Sequence, residues 1–119
     1  MIEIEDRVFT ALADANRRRL LIRLAQSSPK TATQLAREFP ISRQGIIKHL
    51  DRLSHAGLVQ VQRSGREKRY VFDPQSLQTA SAWIETIGKQ WDERLQRLKN
   101  LVEDDASGKI AQNETGNRE

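Results

Sequence analysis

Apolar residues recur at helical spacing through the first half of this chain. Ile4, Val8 and Leu12 stand four apart, with Phe9 and Ala11 beside them. That stripe predicts an amphipathic helix from about Glu3 to Ala13. Asp14 then provides a capping carboxylate for a second helix, which reaches about Ala25 with Leu20, Leu21 and Leu24 facing inward. Ser27-Ser28-Pro29 ends it. Thr31-Ala32-Thr33-Gln34 fits a capping box, in which a hydroxyl and an amide satisfy free backbone donors reciprocally. It opens a short third helix with Leu35, Ala36 and Phe39 on its apolar face. Pro40 and Ile41 make the turn, and Ser42 caps a fourth helix. There Ile46, Leu50 and Leu53 recur at spacings of four and three, with Ile47 beside them. Gly57 is the expected stop, because glycine tolerates the left-handed conformation.

Beyond Gly57 the period changes from helical to alternating. Val59 and Val61, then Tyr70 and Phe72, alternate with polar residues on either side of Ser64-Gly65-Arg66-Glu67, which predicts a β-hairpin. Asp73-Pro74 breaks the second strand. A long helix follows from about Gln75 to Val102, where Leu77, Ala80, Ile84, Ile87, Trp91, Leu95, Leu98 and Val102 step by three or four. After Glu103 the periodicity stops and the residues are polar. The expectation is one domain over residues 1–103 and a disordered tail over 104–119. The fold class is mainly α with a small β-hairpin: about five helices, two strands and a long C-terminal helix.

Charge sharpens this picture. The 119 residues carry a net charge of +4. It is unevenly placed: Asp14 to Asp73 holds 13 Lys/Arg and 5 Asp/Glu, a net +8. A concentrated positive region is the footprint of a nucleic-acid surface. The absence of cysteine excludes disulfides, thiolate metal sites and cysteine nucleophiles, and is compatible with the cytoplasm. No apolar stretch approaches the roughly 20 residues that span a bilayer, so no membrane partner is expected. No metal cluster, phosphate-binding glycine loop or nucleophile–base pair appears, and enzymatic activity is not expected.

The positive charge falls on two adjoining elements. With Ile46, Ile47, Leu50 and Leu53 turned inward, the fourth helix presents Ser42, Arg43, Gln44 and Lys48 outward, with His49 flanking. Arginine reaches guanine O6 and N7, glutamine pairs with adenine, and serine and lysine suit phosphate. Gly45 is expected to let the backbone approach closely. Two short helices joined by a tight turn make a helix-turn-helix, whose second helix enters the major groove. The hairpin cations Arg63, Arg66, Lys68 and Arg69 then form a wing suited to phosphate or the minor groove. Arg17, Lys30 and Thr33 are further phosphate candidates. The partner is therefore double-stranded DNA, and no cofactor is implied. The competing reading is a winged helix used for protein–protein assembly without sequence-specific DNA binding.

Particular runs also carry a resemblance. Phe9-Thr10-Ala11-Leu12-Ala13-Asp14-Ala15-Asn16-Arg17-Arg18-Arg19-Leu20-Leu21 resembles the opening of ArsR-type winged-helix repressors. Lys48-His49-Leu50 through Leu53 to Ala56-Gly57-Leu58-Val59 resembles the end of their recognition helix, and Arg63 to Tyr70 their wing. The resemblance implies a homodimeric bacterial transcription regulator, usually a repressor and in some cases an autorepressor, paired through its first and last helices. Ala15 stands where the family often has proline. Metal-sensing members use cysteines near the recognition helix or Asp/His ligands on the last helix. This chain has no cysteine, and its two histidines, His49 and His55, lie six apart on the fourth helix. The expectation is a member that senses no metal, and no motif announces a small-molecule inducer. Val8, Leu12, Trp83, Ile84, Ile87, Trp91, Leu95 and Leu98 are the candidate dimer contacts, since an apolar stripe of that length normally marks an interface.

Overall fold

A computed structural model describes residues 4–113, with side chains described for residues 6–104. The helices are α1 (Ile4–Leu12), α2 (Ala15–Gln26), α3 (Ala32–Glu38), α4 (Arg43–His55) and α5 (Gln75–Asn113). Strands β1 (Val59–Ser64) and β2 (Glu67–Phe72) lie between α4 and α5. The chain divides into two compact units, Met1–Ala82 and Trp83–Glu119. No helix among the described residues is long and apolar enough to cross a membrane.

Caps fix the boundaries of the first unit. Asp14 Oδ1 accepts from the backbone N–H of Asn16 at 2.8 Å and of Arg17 at 3.1 Å, starting α2. Thr31 Oγ1 accepts from Gln34 N at 3.0 Å while the Gln34 side chain accepts from Thr31 N at 2.8 Å, completing the capping box of α3. Ser42 Oγ accepts from Gly45 N at 3.0 Å and starts α4. At the other end of α4, Gly57 has φ of +75°. Leu58 N donates to Leu53 O and Gly57 N to Ser54 O, both at 2.9 Å, the paired bonds of a Schellman motif.

The inward stripes of these helices meet in one core. Val8 and Ala11 of α1, Leu20, Leu21 and Leu24 of α2, Leu35 of α3, and Ile46, Leu50 and Leu53 of α4 are all buried there. Leu58, Val59, Tyr70 and Ala80 close it. Each large aliphatic side chain so buried contributes about 1.5–3 kcal/mol. This packing corrects one expectation: Val8 is 0% exposed and belongs to the core, so it has no surface to offer a partner. Leu12 is half-buried against the same core.

The hairpin pairs Val59 with Phe72, Val61 with Tyr70, Arg63 with Lys68 and Ser64 with Glu67. Its two-residue turn is Gly65-Arg66, with Gly65 at φ of +64°. A bridge not anticipated from the sequence ties it down. Lys30, in the loop before α3, pairs antiparallel with Tyr70 of β2.

The second unit is helical. α5 continues to Asn113, past the Val102 at which the apolar stepping ends, so residues 104–113 are helical, against the expectation of a disordered tail. A helix already nucleated adds one backbone bond per residue without needing an apolar face. The expected tail residues 114–119 lie outside the described residues.

Candidate nucleic-acid interface

Burial of Ile46, Leu50 and Leu53 sets the rotation of α4 and turns Ser42, Arg43, Gln44 and Lys48 outward, all exposed. Gly45 has a local reason to be glycine. A Cβ there would lie 2.9 Å from Ile41 Cγ2 and 3.2 Å from Ser42 Oγ, so its absence makes room for the turn and the cap. His49 is half-buried and near enough to Asp14 to add to the field on that carboxylate. The backbone N–H of Arg17 is the main reason Asp14 is held below its usual range, with that of Asn16 next among the lowering causes.

An open cleft of about 510 Å³ lies between α3, the start of α4 and the hairpin. Arg37 and Thr33 of α3, Arg43 of α4, and Arg63, Arg66 and Lys68 of the hairpin line it. Tyr70 also lines it and is only 1% exposed. Burial pushes the Tyr70 phenol above its ordinary pKa, as does the Asp51 carboxylate, while Arg43 and Arg63 act the other way. Arg43 Nε donates to Thr33 Oγ1 at 3.0 Å, joining the two helices across the turn.

The hairpin register separates its cations. Arg63 and Lys68 stand directly opposite each other. Like charges at such a position destabilise an isolated sheet, and a polyanion offsets that cost. Arg69 pairs instead with Gln62 and, by alternation, points to the other face. Its Nη2 lies 3.0 Å from Glu67 Oε1, and it does not line the cleft.

Two of the phosphate candidates are engaged elsewhere. Arg17 donates through Nε to Ala11 O at 2.6 Å and through Nη2 to Thr10 O at 3.2 Å, satisfying carbonyls at the end of α1. Arg18 does the same for Leu12 O at 2.6 Å. Lys30 Nζ lies 3.9 Å from Glu38 Oε2, beside the 2.6 Å pair of Arg23 Nε with Glu38 Oε1. The Arg23 hydrogen bond is the main reason that Glu38 is held below its usual carboxylate pKa. Arg37 is the cleft cation that sequence reasoning missed. It carries no motif, and only the folded position of α3 brings it to the hairpin.

Comparison with known proteins places this geometry. A family model described as a helix-turn-helix domain matches residues 12–62. The HTH-type transcriptional regulator Rv2034 of Mycobacterium tuberculosis is 34% identical over 98 residues, covering 82% of this chain and 88% of that protein. An ArsR-like transcriptional regulator from Rhodococcus sp. RHA1 superposes with a TM-score of 0.76 at 38% identity, covering 82% of this chain and 92% of that one. The chain belongs to the ArsR family. As an ArsR-family protein it is a transcriptional regulator with a winged helix-turn-helix DNA-binding domain, α3 and α4 forming the helix-turn-helix and β1–β2 the wing. The same architecture recurs in the homodimeric winged helix-turn-helix DNA-binding domain of Mb0332 from Mycobacterium bovis, at 24% identity and a TM-score of 0.56, covering 71% of this chain and 77% of that one.

Of the eight residues expected to pair two copies, six lie on α5, while Val8 and Leu12 belong to α1. Trp83, Ile84, Ile87, Trp91, Leu95 and Leu98 are between 44% and 58% exposed. Leu101 and Val102 continue the exposed row at 68% and 58%.

Proposed function

We propose that this ArsR-family regulator is a cytoplasmic, homodimeric repressor without catalytic activity, whose targets include its own gene. In this reading α4 lies in the major groove with Arg43 and Gln44 on base edges and Ser42 and Lys48 at phosphate. Arg63, Arg66 and Lys68 hold the neighbouring backbone, and Arg37 adds a phosphate contact. The observation that carries the reading is the cleft itself, which gathers five cations from α3, α4 and the wing beside the exposed start of α4. The Ser42 hydroxyl accepts the cap bond from Gly45 and retains its proton to donate to a phosphate.

Homodimerisation rests on the exposed apolar row of α5, a surface larger than scattered apolar residues explain. The M. bovis domain of the same architecture is homodimeric. Two copies reach half-sites about one helical turn apart, which raises both affinity and selectivity. Occupying such a site at a promoter excludes polymerase, and that is repression. The test combines sedimentation of the full chain with binding to the DNA upstream of its own gene and a scrambled competitor. A dimer that prefers the upstream DNA supports the reading. A monomer, or equal binding to both DNAs, refutes it. Leu95→Glu should yield monomers that keep their circular dichroism and lose tight binding.

A further inference from the structure

We infer that Thr33 is a positioning residue for base reading: its hydroxyl fixes the Arg43 guanidinium so that the terminal nitrogens face a guanine edge. The inference rests on α4 being the reading helix, as proposed above. Arg43 is the first residue of α4, and Thr33 is the second of α3. Nε of Arg43 donates to Thr33 Oγ1 at 3.0 Å. That bond occupies Nε alone and leaves the four N–H donors of the two terminal nitrogens, of which two suffice for bidentate recognition of guanine O6 and N7. Arg43 makes no other hydrogen bond or ion pair among the described residues, so these outer groups are uncommitted.

The anchor for this device is itself held. Thr31 and Gln34 bond each other's backbone in the capping box around Thr33, which fixes the first turn of α3. Ser42 caps α4 immediately before Arg43. A long arginine side chain loses considerable rotamer freedom when it meets a base. Restraining it beforehand, at 3.0 Å from a capped helix, moves that loss into folding and leaves a planar fork already aimed. Thr33 thereby acts through Arg43 and not on phosphate, which distinguishes it from Lys68 and Arg66 in the same cleft.

The test uses the full-length protein. Sites are selected from a random duplex library with the wild type, and binding is then measured on the selected site, on single-base-pair variants of it and on random duplex. Thr33→Val keeps the shape and removes the acceptor; Thr33→Ser keeps the acceptor. The expected result is that Thr33→Val loses about three- to tenfold of the preference for guanine at the one base pair that Arg43→Ala also erases. Its affinity for random duplex, salt slope and thermal midpoint should stay at wild-type values, and Thr33→Ser should restore the preference. Full selectivity in Thr33→Val would overturn the inference while leaving α4 as the reader. Equal weakening on every DNA would also overturn it, and would make Thr33 a backbone contact. Undiminished selectivity in Arg43→Ala would overturn the inference together with the reading on which it rests.

Discussion

Lys30 and Tyr70 exchange two backbone hydrogen bonds, Lys30 N to Tyr70 O at 3.1 Å and Tyr70 N to Lys30 O at 2.8 Å. The loop entering α3 is thus stitched to the inner edge of the wing. A hairpin of two strands is marginal by itself, and this bridge and the burial of Val59 and Tyr70 hold its root against the helix-turn-helix. The wing cations therefore keep a defined position relative to α4 before any DNA is present.

Lys30→Pro removes one donor of that bridge and leaves the Tyr70 carbonyl without its partner. We expect a loss of about 1–3 kcal/mol in urea denaturation. Lys30→Ala keeps the bridge and loses its long 3.9 Å approach to Glu38 and the packing of its mostly buried stem, so it should cost less than Lys30→Pro. Equal stability of the two variants would show that the bridge holds nothing.

The two left-handed glycines should respond differently to alanine. At Gly65, with φ of +64°, an added Cβ would meet nothing within 4 Å, so Gly65→Ala carries only the conformational cost of about 1–2 kcal/mol. Gly57, at φ of +75°, would in addition drive its Cβ into Ser76 Oγ. Gly57→Ala should therefore cost more, and Ser76→Ala in the same chain should recover the steric part. Denaturation midpoints of the three variants check the order.

The facing pair Arg63 and Lys68 implies a trade between folding and binding. Lys68→Glu creates an opposite-charge pair across the strands and should stabilise the free protein by roughly 0.2–1 kcal/mol. The same change should weaken binding to every duplex and lower the salt slope, because a phosphate contact is lost. Thermal melting and fluorescence titration on random duplex read the two effects separately.

Acid should loosen the caps. Backbone N–H donation, from Arg17 to Asp14 and from Gln75 to Asp73, is the main reason that each carboxyl is held below its usual value, and the Gln60 amide adds to the effect at Asp73. Hydrogen bonding to Arg23 does the same for Glu38. A depressed folded-state pKa means the folded chain binds fewer protons than the unfolded chain just below the ordinary carboxylate values near 4. The stability these groups contribute is present above that range and is lost as pH falls through their folded values. Urea midpoints should hold from pH 7 to about 5 and drop below about 4, and Asp73→Asn should lessen the drop.

How much of this is legible in the sequence follows from how local each interaction is. Asp14, the Thr31–Gln34 box, Ser42 and Gly57 act within a few residues of themselves, and each does what its position suggests. The inward stripes of α2 and α4 are likewise readable. What escapes depends on distant chain segments. The Lys30–Tyr70 bridge is pure backbone and leaves no side-chain signal. In the sequence Arg17 is a free cation, because nothing in its neighbourhood shows that the end of α1 returns beneath it. Arg69 is equivalent to Lys68 until the register puts it on the other face beside Glu67. Val8 sits on an apolar stripe that suits a core as well as an interface, and only the packing of α1 on α2 and α4 decides between them.

The most direct test of the central claim, that α4 reads bases while the wing holds the backbone, is the salt dependence of binding on a selected site and on random duplex for the wild type, Arg43→Ala and Arg66→Ala. The account predicts that Arg66→Ala weakens both DNAs alike and reduces the salt slope by about 1, with the preference retained. It predicts that Arg43→Ala erases much of the preference while random-duplex affinity falls little. Uniform loss on both DNAs for Arg43→Ala, or loss of preference for Arg66→Ala, would contradict it.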